Sequence, residues 1–381
     1  MHPTMIGAYG PWAASLVTDG PASFSFRRAE WTDVEAWRPV ARQRLLDRLA
    51  RPDTGGTPEV TVRRQFTYDG LHVEELSWQL PYGPPTEAIF LRPAGATGKL
   101  PGILALHDHA GNKYFGKLKI ARTTDELHPL MLEHYEACYG GVAWANELAK
   151  RGYATLVPDA YAFASRRVRL ADVPEKIREG LTDQDSEDPA DIAAYNRWAS
   201  GHETIMAKSL FCAGTTWPGV FLAEDQRALD VLCAREDVNA KRVGCGGLSG
   251  GGLRTVHLGG VDPRIQCAVC AGMMTTWRDY LLNKSHTHTW MVYVPLLPPE
   301  LDYPEILGLR VPLPTMVLNN IDDPLFTLPE MERADSILRE VYAKAGAKER
   351  YRCSFYPGPH KFDLEMQDAA FDWFDRWLKR P

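Results

Sequence analysis

The chain has 381 residues, of which 45% are apolar and 24% charged, the mixture of an ordinary globular protein. Its 43 lysines and arginines stand against 49 aspartates and glutamates, a net charge of −6 at pH 7, which argues against nucleic acid as a partner because a phosphate-backbone binder needs a basic face. With 31 glycines and 28 prolines the chain falls short of a disordered composition, and no apolar run reaches the about 18 residues of a membrane helix.

The first twenty residues, MHPTMIGAYGPWAASLVTDG, lack the basic start and continuous apolar stretch of a signal peptide. The seven cysteines are odd in number and unpatterned, which points to a reducing compartment, the cytoplasm. Residues 31–50 place Val34, Trp37, Ala41, Leu45 and Leu49 at steps of three or four, an amphipathic helix that Pro39 can interrupt. Two extended runs follow, EVTVRRQFTY and LHVEELSWQL, with a hairpin signal at Asp69-Gly70. TEAIFLRPAG and LPGILALHDH read as further strands; the second is nearly all apolar, as a strand covered on both faces should be.

From there helices and strands alternate. GVAWANELAKRGY reads as helix, ATLVPDA as strand, LAEDQRALDVLCARE as helix and KRVGCGG as strand. GGLRTVHLGG is helix, RIQCAVCAG strand, VPLPTMVLNN strand, LPEMERADSILREVYAKAG helix, RYRCSFYPG strand and AAFDWFDRWLKR a closing amphipathic helix. This alternation implies βαβ units and a mainly parallel sheet, behind an antiparallel start. Two stretches break it. Residues 161–215 hold Arg166, Arg167 and Arg169, the acidic block Asp183, Asp185, Glu187, Asp188 and Asp191, and a helix near 189–209. Residues 272–311 are rich in aromatics and proline. Insertions of that length are expected to serve as lids or pocket walls, with the acidic block a solvated face. The division expected is an N-terminal helical extension over 1–58 and one catalytic domain over 59–381.

The strongest local signal is Gly247-Leu248-Ser249-Gly250-Gly251, between an apolar strand and a helical segment. Strand, sharp turn and helix is the setting that thrusts a serine above a sheet, and the turn needs small neighbours. The alternative is a phosphate-binding glycine turn, but GCGGLSGGG lacks the lysine of such a loop. A nucleophilic serine needs a base, an orienting acid and an oxyanion hole. In the order serine, aspartate, histidine, the acid follows the next-to-last strand and the histidine the last. VPLPTMVLNN is followed by Ile321-Asp322-Asp323-Pro324, and RYRCSFYPGP by His360. Both positions lie at carboxyl ends of strands, where an open α/β sheet builds its site. The first buried strand ends in His107-Asp108-His109-Ala110-Gly111. It reads as an oxyanion loop whose backbone N–H pairs with that of Gly250. H-x-H there, repeated at His286 and His288, also allows a metal reading, but neither pair comes with further ligands and no metal is assigned.

LHDHAG, GLSGGG, NNIDDPLF and YPGPHKF together resemble the α/β-hydrolase superfamily, and within it the dienelactone-hydrolase-like and acetyl-xylan-esterase-like serine esterases. The resemblance spans roughly residues 60–381. It implies an α/β-hydrolase fold: a mostly parallel central sheet flanked by helices, with the N-terminal extension and the lid insertions added. It further implies hydrolysis of a small-molecule carboxylic ester, a short acyl or carbohydrate ester, without a cofactor. In that reading Ser249 is the nucleophile, His360 the base and an aspartate at 322 or 323 the acid, with Gly250 and the 107–111 loop, His109 in particular, as oxyanion donors. Two departures stand out. Asp108 occupies a place where the family often has glycine, and the nucleophile is serine where dienelactone hydrolases proper commonly use cysteine. A lactone hydrolase, a peptidase, a metal-dependent hydrolase on His107 and His109 and a non-catalytic ligand binder are the competing readings.

Between the two aspartates the resemblance tilts the choice to Asp323: in similar hydrolases a hydrophobic residue stands three places after the acid, where Phe326 follows Asp323 and Leu325 follows Asp322, and Asn319-Asn320 lead into a turn entering Asp323. Adjacent residues leaving a strand point in opposite directions, and Asp322 is left for local backbone. Trp217, Trp277, Tyr280, Trp290 and Tyr293 are pocket candidates, and Arg166, with Arg167 and Arg169, is a candidate for holding a substrate carboxylate. His257 is expected to pack rather than react, and Cys267-x-x-Cys270 reads as part of a buried strand.

Overall fold

The computed structural model describes residues 3–17, 19–182 and 185–379. Among these, nine strands form one sheet in the order β1-β2-β3-β5-β4-β6-β7-β8-β9. Strands β1 (Val60–Tyr68) and β2 (Leu71–Trp78) close a hairpin in which Tyr68 faces Leu71. The two turn residues take positive φ, 51° at Asp69 and 75° at Gly70, the twist that suits a two-residue hairpin. Strand β3 (Thr86–Pro93) runs antiparallel to β2 and to β5 (Ala154–Pro158). From β5 onward the sheet is parallel through β4 (Leu100–Ala105), β6 (Val238–Leu248), β7 (Ile265–Ala271), β8 (Thr315–Asn320) and β9 (Tyr351–Tyr356).

Strand β4 lies between β5 and β6, so the chain leaves it in opposite directions, which opens a crevice at its carboxyl end. Its side chains divide between two cores. Leu104 joins the larger apolar cluster on one face, and Ile103 and Ala105 join the second on the other. That two-sided burial is why this segment reads as a continuous apolar run.

Helices α6 (Trp217–Ala234) and α7 (Gly250–Val261) contribute to the first cluster, and α4 (Trp144–Lys150) and α11 (Leu364–Phe374) to the second. Helix α10 (Leu328–Lys344) connects β8 to β9. The extension is a short α1 (Gly10–Ala14) and a long α2 (Val34–Leu49), whose stripe of Trp37, Ala41, Leu45 and Leu49 is fully buried in the first cluster. Contrary to expectation, α2 runs through Pro39 without a break; buried stripe residues on both sides of the proline hold it. Helix α3 (Pro129–Tyr139) has no counterpart in the sequence reading. Its signals are Pro129 at the first position, the spacing of Met131, Tyr135 and Tyr139, and Gly140 at φ 65° past its end.

The insertion over 161–215 carries α5 (Pro189–Cys212), and that over 272–311 carries α8 (Trp277–Asp279) and α9 (Tyr303–Gly308). Of the acidic block, Asp183 lies outside the described residues. Asp185 pairs with Arg167 and Arg169 at the surface, and Asp188 caps α5. Cys267 and Cys270 are fully buried in β7. They join opposite apolar clusters and so opposite faces of the sheet, a geometry without redox partnership. No described helix is long and apolar enough to cross a membrane.

Candidate active site

Ser249 ends β6 and begins α7 with φ 56° and ψ −116°, a strained conformation for a residue with a side chain. The turn is held by Ser249 N–H donating to Ala271 O at 2.9 Å and by Leu253 N–H donating to Ser249 O at 2.8 Å. Its tightness explains the flanking glycines. A Cβ at Gly251 would stand 2.0 Å from Leu106 O, and one at Gly247 2.2 Å from the same atom.

The loops after β8 and β9 meet beside this turn. Asp323 is buried; its Oδ2 lies 2.6 Å from His360 Nδ1, and its Oδ1 accepts from Leu325 N–H at 2.9 Å. Asp322 points outward and accepts from Gly358 N–H at 3.0 Å. The histidine loop is fixed by Lys361 N–H donating to Asn320 Oδ1 and Phe362 N–H donating to Cys138 O. His360 packs so closely on Gly272 that a Cβ there would sit 2.8 Å from Cε1. His360 Nε2 is buried and has no partner among the described residues.

The 107–111 loop turns its polar side chains away from one another. His107 donates from Nδ1 to Asp108 O at 2.9 Å and accepts Ala160 N–H at Nε2; burial holds its pKa down to about 3, so it stays neutral. His109 donates from Nε2 to Glu203 Oε1 at 2.8 Å and accepts Gly111 N–H at Nδ1 at 2.9 Å. His288 donates to Leu325 O, and burial lowers its pKa to about 4. With both ring nitrogens of His107 and of His109 engaged, that pair offers no metal position, and no group of three or more candidate ligands occurs among the described residues.

Asp108 is buried and accepts from His134 Nε2 at 2.9 Å and from Tyr139 OH at 2.5 Å, both on α3. Burial would lower the His134 pKa, but the Asp108 charge and hydrogen bond overcome it and raise it to about 9. Asp108 therefore faces inward as the anchor of the loop. His109 backbone remains on the outer side, where a Cβ at Gly250 would come within 2.9 Å of His109 N.

Ser249, Gly250, His109 and His360 share one cavity of about 340 Å³, completed by Ala110, Gly111, Leu253, Met273, Thr287, His288, Thr289, Met291, Val292 and Leu325. The aromatic pocket candidates do not line it. Trp217 is buried under the sheet against Tyr161 and Phe221. Trp277 donates to Leu301 O inside the insertion, and Tyr280 stacks edge-on behind His288. Trp290 points outward to Thr204 Oγ1, and Tyr293 lies between Tyr280 and Trp290. Each serves packing, which rings at these spacings do as readily as binding. Arg166 is also corrected: it is buried on Glu224 and the carbonyl oxygens of Tyr82 and Pro84, with no reach toward the cavity. His257 is buried and donates to Leu253 O.

Glu203, His134, Lys113 and Lys119 around the loop were not singled out by the sequence. Their only local mark is placement on amphipathic or turn segments, 10 to 94 positions from the residues they hold.

No family model matches the chain. A Bacillus subtilis (strain 168) protein named "Putative hydrolase YtaP" is 25% identical over 338 residues, covering 88% of this chain and 97% of that one. Among solved structures, a Bacteroides fragilis protein described as a "putative acetyl xylan esterase" superposes with a TM-score of 0.65 at 15% identity, covering 92% of this chain and 83% of that one. A glucuronoyl esterase from Solibacter usitatus gives 0.60 at 15% identity, with 95% and 99% covered. The sheet order and these likenesses give the fold as that of the α/β-hydrolases.

Proposed function

We propose that the protein is a serine hydrolase that cleaves a carboxylic ester through an acyl-enzyme. The observation that carries this reading is His360, held at Nδ1 by a buried Asp323 at 2.6 Å, its Nε2 without a partner among the described residues and its ring lining the cavity that Ser249 also lines. Ser249 Oγ attacks the carbonyl carbon as His360 Nε2 takes its proton. Asp323 fixes the imidazole tautomer and stabilises the imidazolium. Backbone N–H groups of Gly250 and His109 hold the oxyanion; the first belongs to the opening turn of α7, where amide donors have no intrahelical acceptor. The alcohol leaves with the proton from His360, and water then releases the acid by the same steps.

The lining favours a short acyl group. Leu253, Met273, Met291, Val292 and Leu325 make the cavity largely apolar, no lysine or arginine lines it, and about 340 Å³ is small for a ligand site. The esterase names of the structural neighbours support a carbohydrate ester as the class to test first. A fluorophosphonate should label Ser249 stoichiometrically, and Ser249→Ala should lose the label and several orders of magnitude in kcat on the best of a panel of aryl, sugar-acetate and lactone esters. A tenth of wild-type turnover in Ser249→Ala would refute the proposal.

A further inference from the structure

Behind the oxyanion loop stands a lysine that the reaction as written does not use. Lys119 has no exposed surface. Its Nζ donates to Asp108 O and to His109 O, each at 2.9 Å, and lies 3.6 Å from Asp108 Oδ2. Two carbonyl oxygens accept from the nitrogen, and the carboxylate stands near enough to attract its charge without a hydrogen bond. The Phe163 ring covers another side, 4.9 Å from nitrogen to centroid. Asp108 O also takes the His107 Nδ1 hydrogen bond, so both of its lone pairs are engaged from the buried side. Burial lowers the Lys119 pKa and the Asp108 carboxylate opposes that. Burying a cation is costly, and a neutral donor would satisfy the same carbonyls.

A trans peptide points its C=O and its N–H in opposite directions. Asp108 C=O and His109 N–H belong to one peptide unit. A cation on the buried oxygen therefore turns the N–H outward, and charge drawn onto that oxygen makes the N–H a stronger donor. This N–H donates to no atom among the described residues and lies against Gly250. We infer that Lys119 is a positioning residue for catalysis, whose ammonium orients and polarises the Asp108–His109 peptide so that His109 N–H binds the oxyanion more strongly than an ordinary amide. This rests on the serine-hydrolase reading and deepens it.

Lys119→Met keeps the side-chain length and removes the charge; Lys119→Gln keeps a donor without the charge. Both are compared with the wild-type full chain by kcat and KM on an aryl acetate, and by inhibition with an aryl trifluoromethyl ketone, whose serine adduct carries the oxyanion. Losing a whole oxyanion donor costs about 10²–10³ in kcat, so the loss of polarisation in Lys119→Met should cost roughly 10–100-fold. KM should stay within about twofold, and the ketone should weaken by the factor that kcat/KM falls. Lys119→Gln should fall between the two. A lowered unfolding temperature with kcat and ketone affinity unchanged would overturn the inference. So would failure of both variants to fold, which would make Lys119 a folding residue. An active Ser249→Ala would refute the reading of the site itself, whereas an inactive Ser249→Ala beside a fully active Lys119→Met would refute only the role of Lys119.

Discussion

Residues 272–311 and residues 161–215 both support the cavity of Ser249, the first as its wall and the second as a brace behind the 107–111 loop, the proposed oxyanion loop. The first insertion lines the site with Met273, Thr287, His288, Thr289, Met291 and Val292 and also steadies the acid loop. There His288 donates to Leu325 O, and Asp279 accepts from Thr327 N–H at 3.0 Å and from its hydroxyl at 2.8 Å. Among the described residues the second contributes none to the lining. Instead α5 grips the loop at two levels. Asn196 Oδ1 accepts from the N–H groups of Lys113 and Tyr114, and two turns along Glu203 takes His109 and the buried Lys113. Lys284 Nζ adds a bond to Pro324 O at 2.6 Å near the surface; the first brace otherwise works through hydrogen bonds, the second through buried ions. An insertion's length and aromatic content mark it as functional without telling which of these two tasks it performs.

The acid side should show the largest effect. Asp323→Asn is expected to lower kcat by roughly 10⁴, because an amide stabilises the wrong imidazole tautomer, while Asp322→Asn changes it less than about threefold. Steady-state kinetics of the two variants decide it, and the reverse order would move the acid to Asp322.

On the oxyanion side the ions should appear in stability. With a pKa of about 9 in the folded state against about 6.5 unfolded, His134 stabilises the fold fully below pH 6.5. That contribution, up to about 3 kcal/mol, fades as the pH rises through 9. Urea midpoints from pH 6 to 10 should fall more steeply for the wild type than for His134→Asn; parallel curves would remove the ion pair from the account.

Glu203→Ala tests the brace directly. It leaves Lys113 buried without its carboxylate and His109 without its acceptor, so kcat should drop roughly 10–100-fold with KM little changed. Glu203→Gln, which keeps the acceptor for His109, should recover most of it. A KM effect alone would place α5 at the substrate after all.

The smallest effect concerns the wall. Met291→Ala should change the ranking of acyl chain lengths by a few fold, about the worth of a methylene or two in an apolar pocket, whereas Trp290→Ala, facing away, should leave the ranking intact. If the tryptophan variant alone shifts preference, the wall extends further than the cavity now shows.

Strand ends were legible in the sequence because they are local. The apolar run of β4, the glycines around Ser249 and the polar residues directly after β8 and β9 each advertise their place within a few positions. The parallel run of the sheet follows from alternation, but its strand order does not; Pro39 read as an interruption of α2 because tertiary burial outweighs local propensity there, and α3 went unread although Pro129 and Gly140 mark its ends. The aromatic residues misled for a physical reason: a buried ring gains as much against Tyr303 or Phe221 as against a ligand. The tie between His109 and Glu203 crosses 94 positions, and no spacing rule encodes it.

The backbone at Ser249 has one more consequence. A left-handed residue with a side chain costs the fold of order 1–3 kcal/mol, and glycine would occupy the same angles almost freely. A lineage selected for durability alone would drift to glycine there. Under the proposed reaction the serine records a compromise between persistence and turnover, and variants that gain thermal resistance by substitution at this one position are expected to be the inactive ones.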